Sequence, residues 1–168
     1  MPESSSEMEL WLIRLQAARE WVERYTGRAL LQQTWSYTVD ALEDWTAPLL
    51  LPVAPLMAVT SITVTNPTDT GTVIAGASYR VETGLVPGRI VLDTDIGYWV
   101  PNPRTYSTLT VLYTAGYGTE PDDVPAVFRH VIMLLASEFS ERLEAATDQK
   151  LMEVPFCMRL LDSYVVYR

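Results

Sequence analysis

The chain has 168 residues, of which 48% are apolar and 20% charged, and its net charge is −9. The apolar fraction excludes a wholly disordered chain. The longest apolar run, residues 47–59, is too short and too rich in proline to span a membrane. The acidic balance disfavours binding of free nucleic acid, and the single cysteine, Cys157, excludes an internal disulfide.

The first predicted element is a helix over residues 7–26. Its apolar residues follow each other at spacings of four and three, which places them on one helix face: Trp11, Leu15, Ala18 and Val22. Gly27 comes next and can end the helix in a left-handed conformation. The sequence therefore predicts an amphipathic helix with a defined end.

A β-rich region is predicted over residues 33–117. Short segments of alternating or β-branched residues are separated by turn residues about every ten positions. The clearest strands are at residues 35–39, 59–65, 79–82, 89–92 and 108–113. Pro52 and Pro55 make the apolar segment between the first two an edge strand or a connector, because proline cannot donate to a ladder. The pattern is typical of a small antiparallel sheet or a sandwich.

The chain then returns to helix over residues 123–146, where one apolar stripe includes Phe128, Leu135 and Phe139. The last segment, residues 151–168, is unusually apolar for a terminus, so it either packs on its own core or docks on a partner. We predict an α+β fold in one domain over 1–168. Two long helices of a small helical bundle flank an inserted antiparallel β subdomain, and an extended C-terminal docking segment follows.

The sequence contains no recognisable catalytic motif. His130 is the single histidine and falls inside the second predicted helix, while Cys157 lies between Phe156 and Met158 and is interpreted as a buried apolar residue. Asp122 and Asp123 precede a helix, where acidic residues act as caps. We therefore expect a protein that is not an enzyme and that binds no cofactor and no metal.

Several sequence blocks occur in a fixed order. They are AAREWVERYTGRAL at 17–30, running on to Thr34 and Trp35; LPVAPL at 51–56 with VTSI at 59–62; YRV at 79–81 with GRI at 88–90; TVLYTAGYG at 110–118 before Val124 and Pro125; and a last segment with Leu160, Leu161 and Tyr164. In this order the chain, from residue 17 to 168, resembles the head–tail connector proteins of long-tailed bacteriophages and phage-like gene transfer particles. These are also called adaptor or head-completion proteins.

The resemblance implies a structural virion protein at the head–tail interface, assembled in the cytoplasm of a bacterial host. Its copies would form a homo-oligomeric ring, commonly a dodecamer, between the portal protein and a tail-side stopper or tail terminator protein. The ring would extend the channel through which double-stranded DNA passes during packaging and ejection, without sequence-specific binding. A membrane partner is not implied.

Three groups of site residues follow. We expect subunits to pack side by side through the two long helices, with these contact residues: Trp11, Leu15, Val22, Phe128, Leu135 and Phe139. The resemblance places the C-terminal segment against the portal, with these docking residues: Pro155, Phe156, Leu160, Leu161, Tyr164 and Tyr167. A tail-facing or peripheral loop carries Tyr98, Trp99 and Tyr106. The same aromatics, with Trp45, also fit an alternative, a peripheral host- or carbohydrate-binding β module of a phage particle.

Overall fold

We describe the protein from a computed structural model that covers residues 5–40, 47–65, 71–92, 108–144 and 153–167. This part of the chain contains three α-helices and seven β-strands, which confirms the predicted α+β class. It divides into two compact units where the sequence analysis expects one domain. The helical unit comprises Met1–Arg28 and Glu120–Val165, and the β unit comprises Ala29–Thr119 with Val166–Arg168.

The helical unit begins with α1, Ser5–Thr26, which contains the first predicted helix. Its inner face is buried and carries residues four positions apart: Ala18, Val22 and Thr26. The Thr26 hydroxyl donates to the Val22 carbonyl oxygen at 2.8 Å, so this buried polar group is paired. The helix ends at Gly27, whose φ of 68° is the predicted left-handed conformation, and its N–H donates to the carbonyl four residues earlier at 2.9 Å.

Two further helices complete this unit, α2 over Ala126–Glu144 and α3 over Glu153–Leu161. Helix α2 lies within the predicted second helix. Its backbone hydrogen bonding begins at Pro125, whose carbonyl accepts from the Phe128 N–H at 3.0 Å. The residues that α2 buries recur at helical spacing: Phe128, Val131, Leu135 and Ala136. A short 3-10 turn, Asp162–Tyr164, continues the chain after α3.

The β unit contains seven strands: β1 Gln33–Asp40, β2 Leu49–Leu50, β3 Leu56–Thr65, β4 Gly71–Val73, β5 Tyr79–Glu82, β6 Arg89–Leu92 and β7 Thr108–Ala115. All pairings are antiparallel, in one sheet of order β1-β7-β3-β4 and a second of order β2-β6-β5. The strands β5 and β6 have the predicted bounds. Pro52 and Pro55 lie between β2 and β3, as expected for a connector.

The two sheets share one apolar core. The three-stranded sheet contributes Leu49, Ile90 and Leu92, and the four-stranded sheet contributes alternate residues of β3 and β7, among them Ile62, Leu109, Val111 and Tyr113. The opposite face of β7 carries threonines, and the hydroxyl oxygens of Thr110 and Thr38 lie 3.4 Å apart there. Because successive side chains of a strand point to opposite faces, β7 packs one face against the core and leaves the other face largely polar. No described helix is long and apolar enough to cross a membrane.

Candidate functional site

The inner faces of α1 and α2 form the core of the helical unit. Val22 and Phe128 are fully buried and Leu135 is nearly so, whereas Trp11, Leu15 and Phe139 are half-buried. A side chain that is buried within one subunit cannot contact another. For Val22, Phe128 and Leu135 the predicted role in the ring contact is therefore wrong, because the apolar stripe that periodicity detects is the face each helix turns toward its own neighbours.

A polar contact joins α1 to α2 beside this core. The guanidinium of Arg14 donates to the Ser140 hydroxyl at 2.8 Å, and its carbon lies 5.8 Å from the centre of the Trp11 ring. Cation–π geometry of this kind holds an arginine and an aromatic side chain against each other. Trp11 is therefore partly engaged within its own subunit, which leaves only its remaining surface for a partner.

The exposed apolar surface of α1 lies elsewhere on the helix. Met8, Leu10, Leu12 and Ile13 expose between 49% and 63% of their surfaces. Met8 and Leu12 are four positions apart and share one side of the helix, whereas Leu10 and Ile13 are three positions apart and share another. Exposed apolar surface of this kind marks an interaction site. Sequence analysis missed them because they fall outside the single stripe of Trp11, Leu15, Ala18 and Val22, although their apolar character on both flanks of that stripe was a usable signal.

The outer face of α2 is largely uncharged. The exposed residues without a fixed charge recur at helical spacing: Ala126, His130, Met133 and Ser137, and Arg129 is exposed beside them. Met133 is 58% exposed. The neighbouring Arg129 donates to the Asp122 carboxylate at 2.6 Å. The single histidine, His130, thus lies on an exposed face of α2. Among the described residues, no three His, Cys, Asp or Glu side chains come together as metal ligands.

The C-terminal segment is helical where an extended docking segment is expected. Helix α3 buries Cys157 and Leu161 completely, which confirms the interpretation of Cys157 and makes a docking role for Leu161 wrong. Pro155 is the third residue of α3, in the first turn, where a missing backbone N–H breaks no helical hydrogen bond. Proline at this position is therefore compatible with a helix where the sequence analysis expects an extended segment. The side chain of Pro155 lies outside the described residues.

Tyr164 is also held within the helical unit. Its ring meets that of Phe128 edge-to-face, with the ring centres 4.9 Å apart. Its carbonyl oxygen accepts a hydrogen bond from Arg28 Nε at 2.6 Å. Nearby, the Tyr25 hydroxyl donates to the Asp162 carboxylate at 2.7 Å. These contacts tie the segment after α3 to its own subunit, and they correct the expectation that the whole segment leaves it.

Part of the segment still faces outward. Phe156 is 54% exposed and Tyr167 is 79% exposed, while Leu160 is half-buried. Phe156 and Leu160 are four positions apart and therefore share one side of α3. Among the predicted docking residues whose side chains the structure describes, Phe156 and Tyr167 are therefore the most exposed, and Tyr164 is half-buried like Leu160.

The aromatic residues assigned to a tail-facing or peripheral loop, Tyr98, Trp99 and Tyr106, lie outside the described residues, as does Trp45. The alternative of a host- or carbohydrate-binding module depends on them. No observation on the described residues favours that alternative.

One carboxylate of the β unit has a shifted pKa. Arg89 Nε donates to the Glu82 carboxylate at 2.6 Å, and Arg80 Nε lies 3.4 Å from its other oxygen. The hydrogen bond from Arg89 holds the pKa of Glu82 below its ordinary value of 4.5. The ion pair of Glu82 with Arg89 links strand β5 to strand β6 and stabilises their pairing.

The comparisons with known proteins give a fold. No protein-family profile and no curated protein sequence matches the chain. Among solved structures, a chain of the virion of the native gene transfer agent (GTA) particle matches with a TM-score of 0.72 and 22% identity, over 98% of this chain and 80% of that chain.

Two structures of the GTA neck match as well. In the neck of the native particle, computed with C12 symmetry, a chain has a TM-score of 0.74 and 23% identity, over 94% of this chain and 82% of that chain. In the neck of the empty particle, computed with C6 symmetry, a chain has a TM-score of 0.73 and 22% identity, over 98% of this chain and 80% of that chain. At this level of identity the likeness is one of fold, and it extends over nearly the whole chain.

Proposed function

We propose that the protein is a structural component of the neck of a phage-like particle, where copies form an adaptor ring between the portal and the tail. The observation that carries this proposal is the likeness of fold, over at least 94% of the chain, to chains of GTA particles and their necks. The cyclic symmetry named for those necks supports a ring of copies.

The ring would extend the channel for DNA. The chain carries 21 acidic and 12 basic residues, excluding its histidine, which gives the net charge of −9. An acidic wall repels phosphates, so double-stranded DNA can slide along it, whereas clustered lysine and arginine would hold the DNA by releasing its counterions.

The exposed side of α3 would contact the portal. Phe156 and Leu160 lie on this side, and Cys157 and Leu161 on the other side fix the helix to its own subunit. Large exposed aromatic residues are frequent anchors of protein contacts because they bury much area with few rotatable bonds. The portal contact would therefore be a rigid helical surface.

Disruption of the gene in the producing cell tests the function. We expect DNA-filled heads and separate tails, with joining restored by the wild-type gene supplied on a plasmid. Complementation with Phe156→Ala is expected to leave the purified protein folded but to lower the yield of joined particles. Val73→Ala, a change at an exposed apolar residue of the β unit, is the matched control. Joined particles at normal yield without the gene product would refute the proposal.

A further inference from the structure

We propose that neighbouring copies contact each other through the outer faces of α1 and α2. On one copy the contact is the stripe of Leu10, Ile13 and Ala17, here called the α1 stripe. On the next copy it is the α2 stripe: Ala126, His130, Met133 and Ser137. The inference rests on the proposed function, since it names the contact that would close the proposed ring.

The α1 stripe is the first reason. Its residues are spaced at i, i+3 and i+7, so they lie along one side of the helix. All three are exposed, and Ile13 is the most exposed of the large apolar residues of α1. The inner face of the helix is already filled through Ala18 and Val22, so no other part of the helical unit that the structure describes covers this stripe.

The α2 stripe is complementary to the α1 stripe in side-chain size and polarity. Met133 is a large flexible side chain, and the small residues Ala126 and Ser137 lie one turn or more on either side of it. Small side chains at a helix contact allow the two axes to approach closely, and an exposed methionine adapts its shape to the side chain it meets. None of the four residues carries a fixed charge that burial would leave unpaired.

A second copy is the occupant that these two stripes favour. They are different surfaces of one subunit, so a contact between them is heterologous, and repeated heterologous contacts close into a ring when the rotation allows. Each copy carries a net charge of −9, so a contact through faces without acidic residues avoids repulsion between the copies.

Charge also selects the direction of packing. With Ile13 opposite Met133, a parallel arrangement brings Glu9 of one copy beside Arg129 of the next. An antiparallel arrangement would instead place Glu9 near Glu138. Glu9 and Arg129 are both exposed, and Arg129 also donates to Asp122 of its own subunit, so in the parallel arrangement its guanidinium would lie between two carboxylates. Opposite charges at the contact favour the parallel arrangement and disfavour the other.

Disulfide cross-linking in purified particles tests the contact. The protein is replaced in the producing cell by Ile13→Cys together with Met133→Cys, and particles are treated with a mild oxidant and run on a denaturing gel. We expect a ladder of covalent multimers from the double variant and monomer from either single variant, because each Cys faces a different residue on its neighbour. The wild-type protein, whose Cys157 is buried, is the background control.

A second pair tests the direction. Ala17→Cys with Ser137→Cys is expected to cross-link, because these positions are opposite in the parallel arrangement. Ala17→Cys with His130→Cys, which are close only in the antiparallel arrangement, is expected not to. Cross-linking of the second combination in place of the first would overturn the proposed direction.

A charge substitution measures the contribution of the stripe. Ile13→Glu is expected to lower the number of copies per particle at least about tenfold, because the proposed contact would then bury an unpaired carboxylate in place of an apolar side chain. Leu12→Glu makes the same kind of change one residue earlier, at an exposed position on a different side of α1, and is expected to have little effect.

The outcomes separate this inference from the proposed function. Cross-linked dimers from a single-cysteine variant would show a two-fold contact and would overturn the inference. The inference would also be overturned if the Ile13→Cys, Met133→Cys double variant forms a ring at the neck but runs as a monomer on the gel. The proposed function would then still stand. Absence of the protein from the particle neck would refute both.

Discussion

Replacement of Leu161 by alanine tests whether the C-terminal helix belongs to its own subunit. The Leu161 side chain is fully buried on the inner side of α3. Leu→Ala changes at such positions lose the transfer free energy of the removed methyl groups and leave a cavity, and they cost about 2–4 kcal/mol. For a chain of this size, each kcal/mol lowers the melting temperature by about 2–4 °C, so the total decrease is roughly 5–15 °C.

The control is Phe156→Ala, on the outer side of the same helix. More atoms are removed, but Phe156 is 54% exposed, so the loss of stability is expected to stay below about 1 kcal/mol. Urea unfolding followed by circular dichroism gives both values. The two variants are expected to separate in function as well, since Phe156→Ala should impair head–tail joining without unfolding the protein.

The opposite ranking would refute this reasoning. If Leu161→Ala unfolds at the wild-type urea concentration, α3 is not packed in its own subunit. That result would support the hypothesis that the whole C-terminal segment docks on the portal. Deletion of residues 153–168 is expected to agree with Leu161→Ala, because it also removes the contact of Tyr164 with Phe128 and its hydrogen bond with Arg28.

Two further predictions concern the β unit. Gly116 has a φ of 143°, and an added Cβ would lie 2.6 Å from the backbone of Leu31. Gly116→Ala is therefore expected to lower the free energy of unfolding, measured in urea, by at least about 2 kcal/mol. Gly76→Ala is the control and should change this free energy little, because the space at its Cβ is open. Equal effects of the two changes would contradict this. The lowered pKa of Glu82 means that its bond with Arg89 stabilises the fold above pH 4.5 and that this contribution is lost as the pH falls through the lower, folded-state pKa. The difference in stability between wild type and Glu82→Gln should therefore be larger at pH 7 than at pH 3, and a difference that grows on acidification would be evidence against the ion pair.

The secondary structure could be predicted from the sequence because its signals are local. The spacing of apolar residues and Gly27 predicted α1 and its end, and alternation predicted β5 and β6 with the observed bounds. An extended segment is expected where α3 lies, although Pro155 falls in the first turn of α3, where proline is tolerated.

The candidate site was harder to predict because exposure is a property of the folded chain. Periodicity identified Val22, Phe128 and Leu135 as apolar, but an apolar stripe looks the same whether it fills a core or meets a partner. Only the packing shows that those residues are buried and that other apolar residues of the same two helices, among them Ile13 and Met133, are exposed. Leu161 and Phe156 differ in the same way, since both are apolar and only one faces inward.

The central claim is that this protein forms a ring at the neck of a phage-like particle. A reconstruction of the neck from purified particles, by electron cryomicroscopy with and without imposed symmetry, measures this directly. We expect density between portal and tail that fits the α1, α2 and α3 helices and the two sheets in every subunit of a ring. Density for this fold only at the periphery of the particle, or a neck that lacks it, would contradict the account.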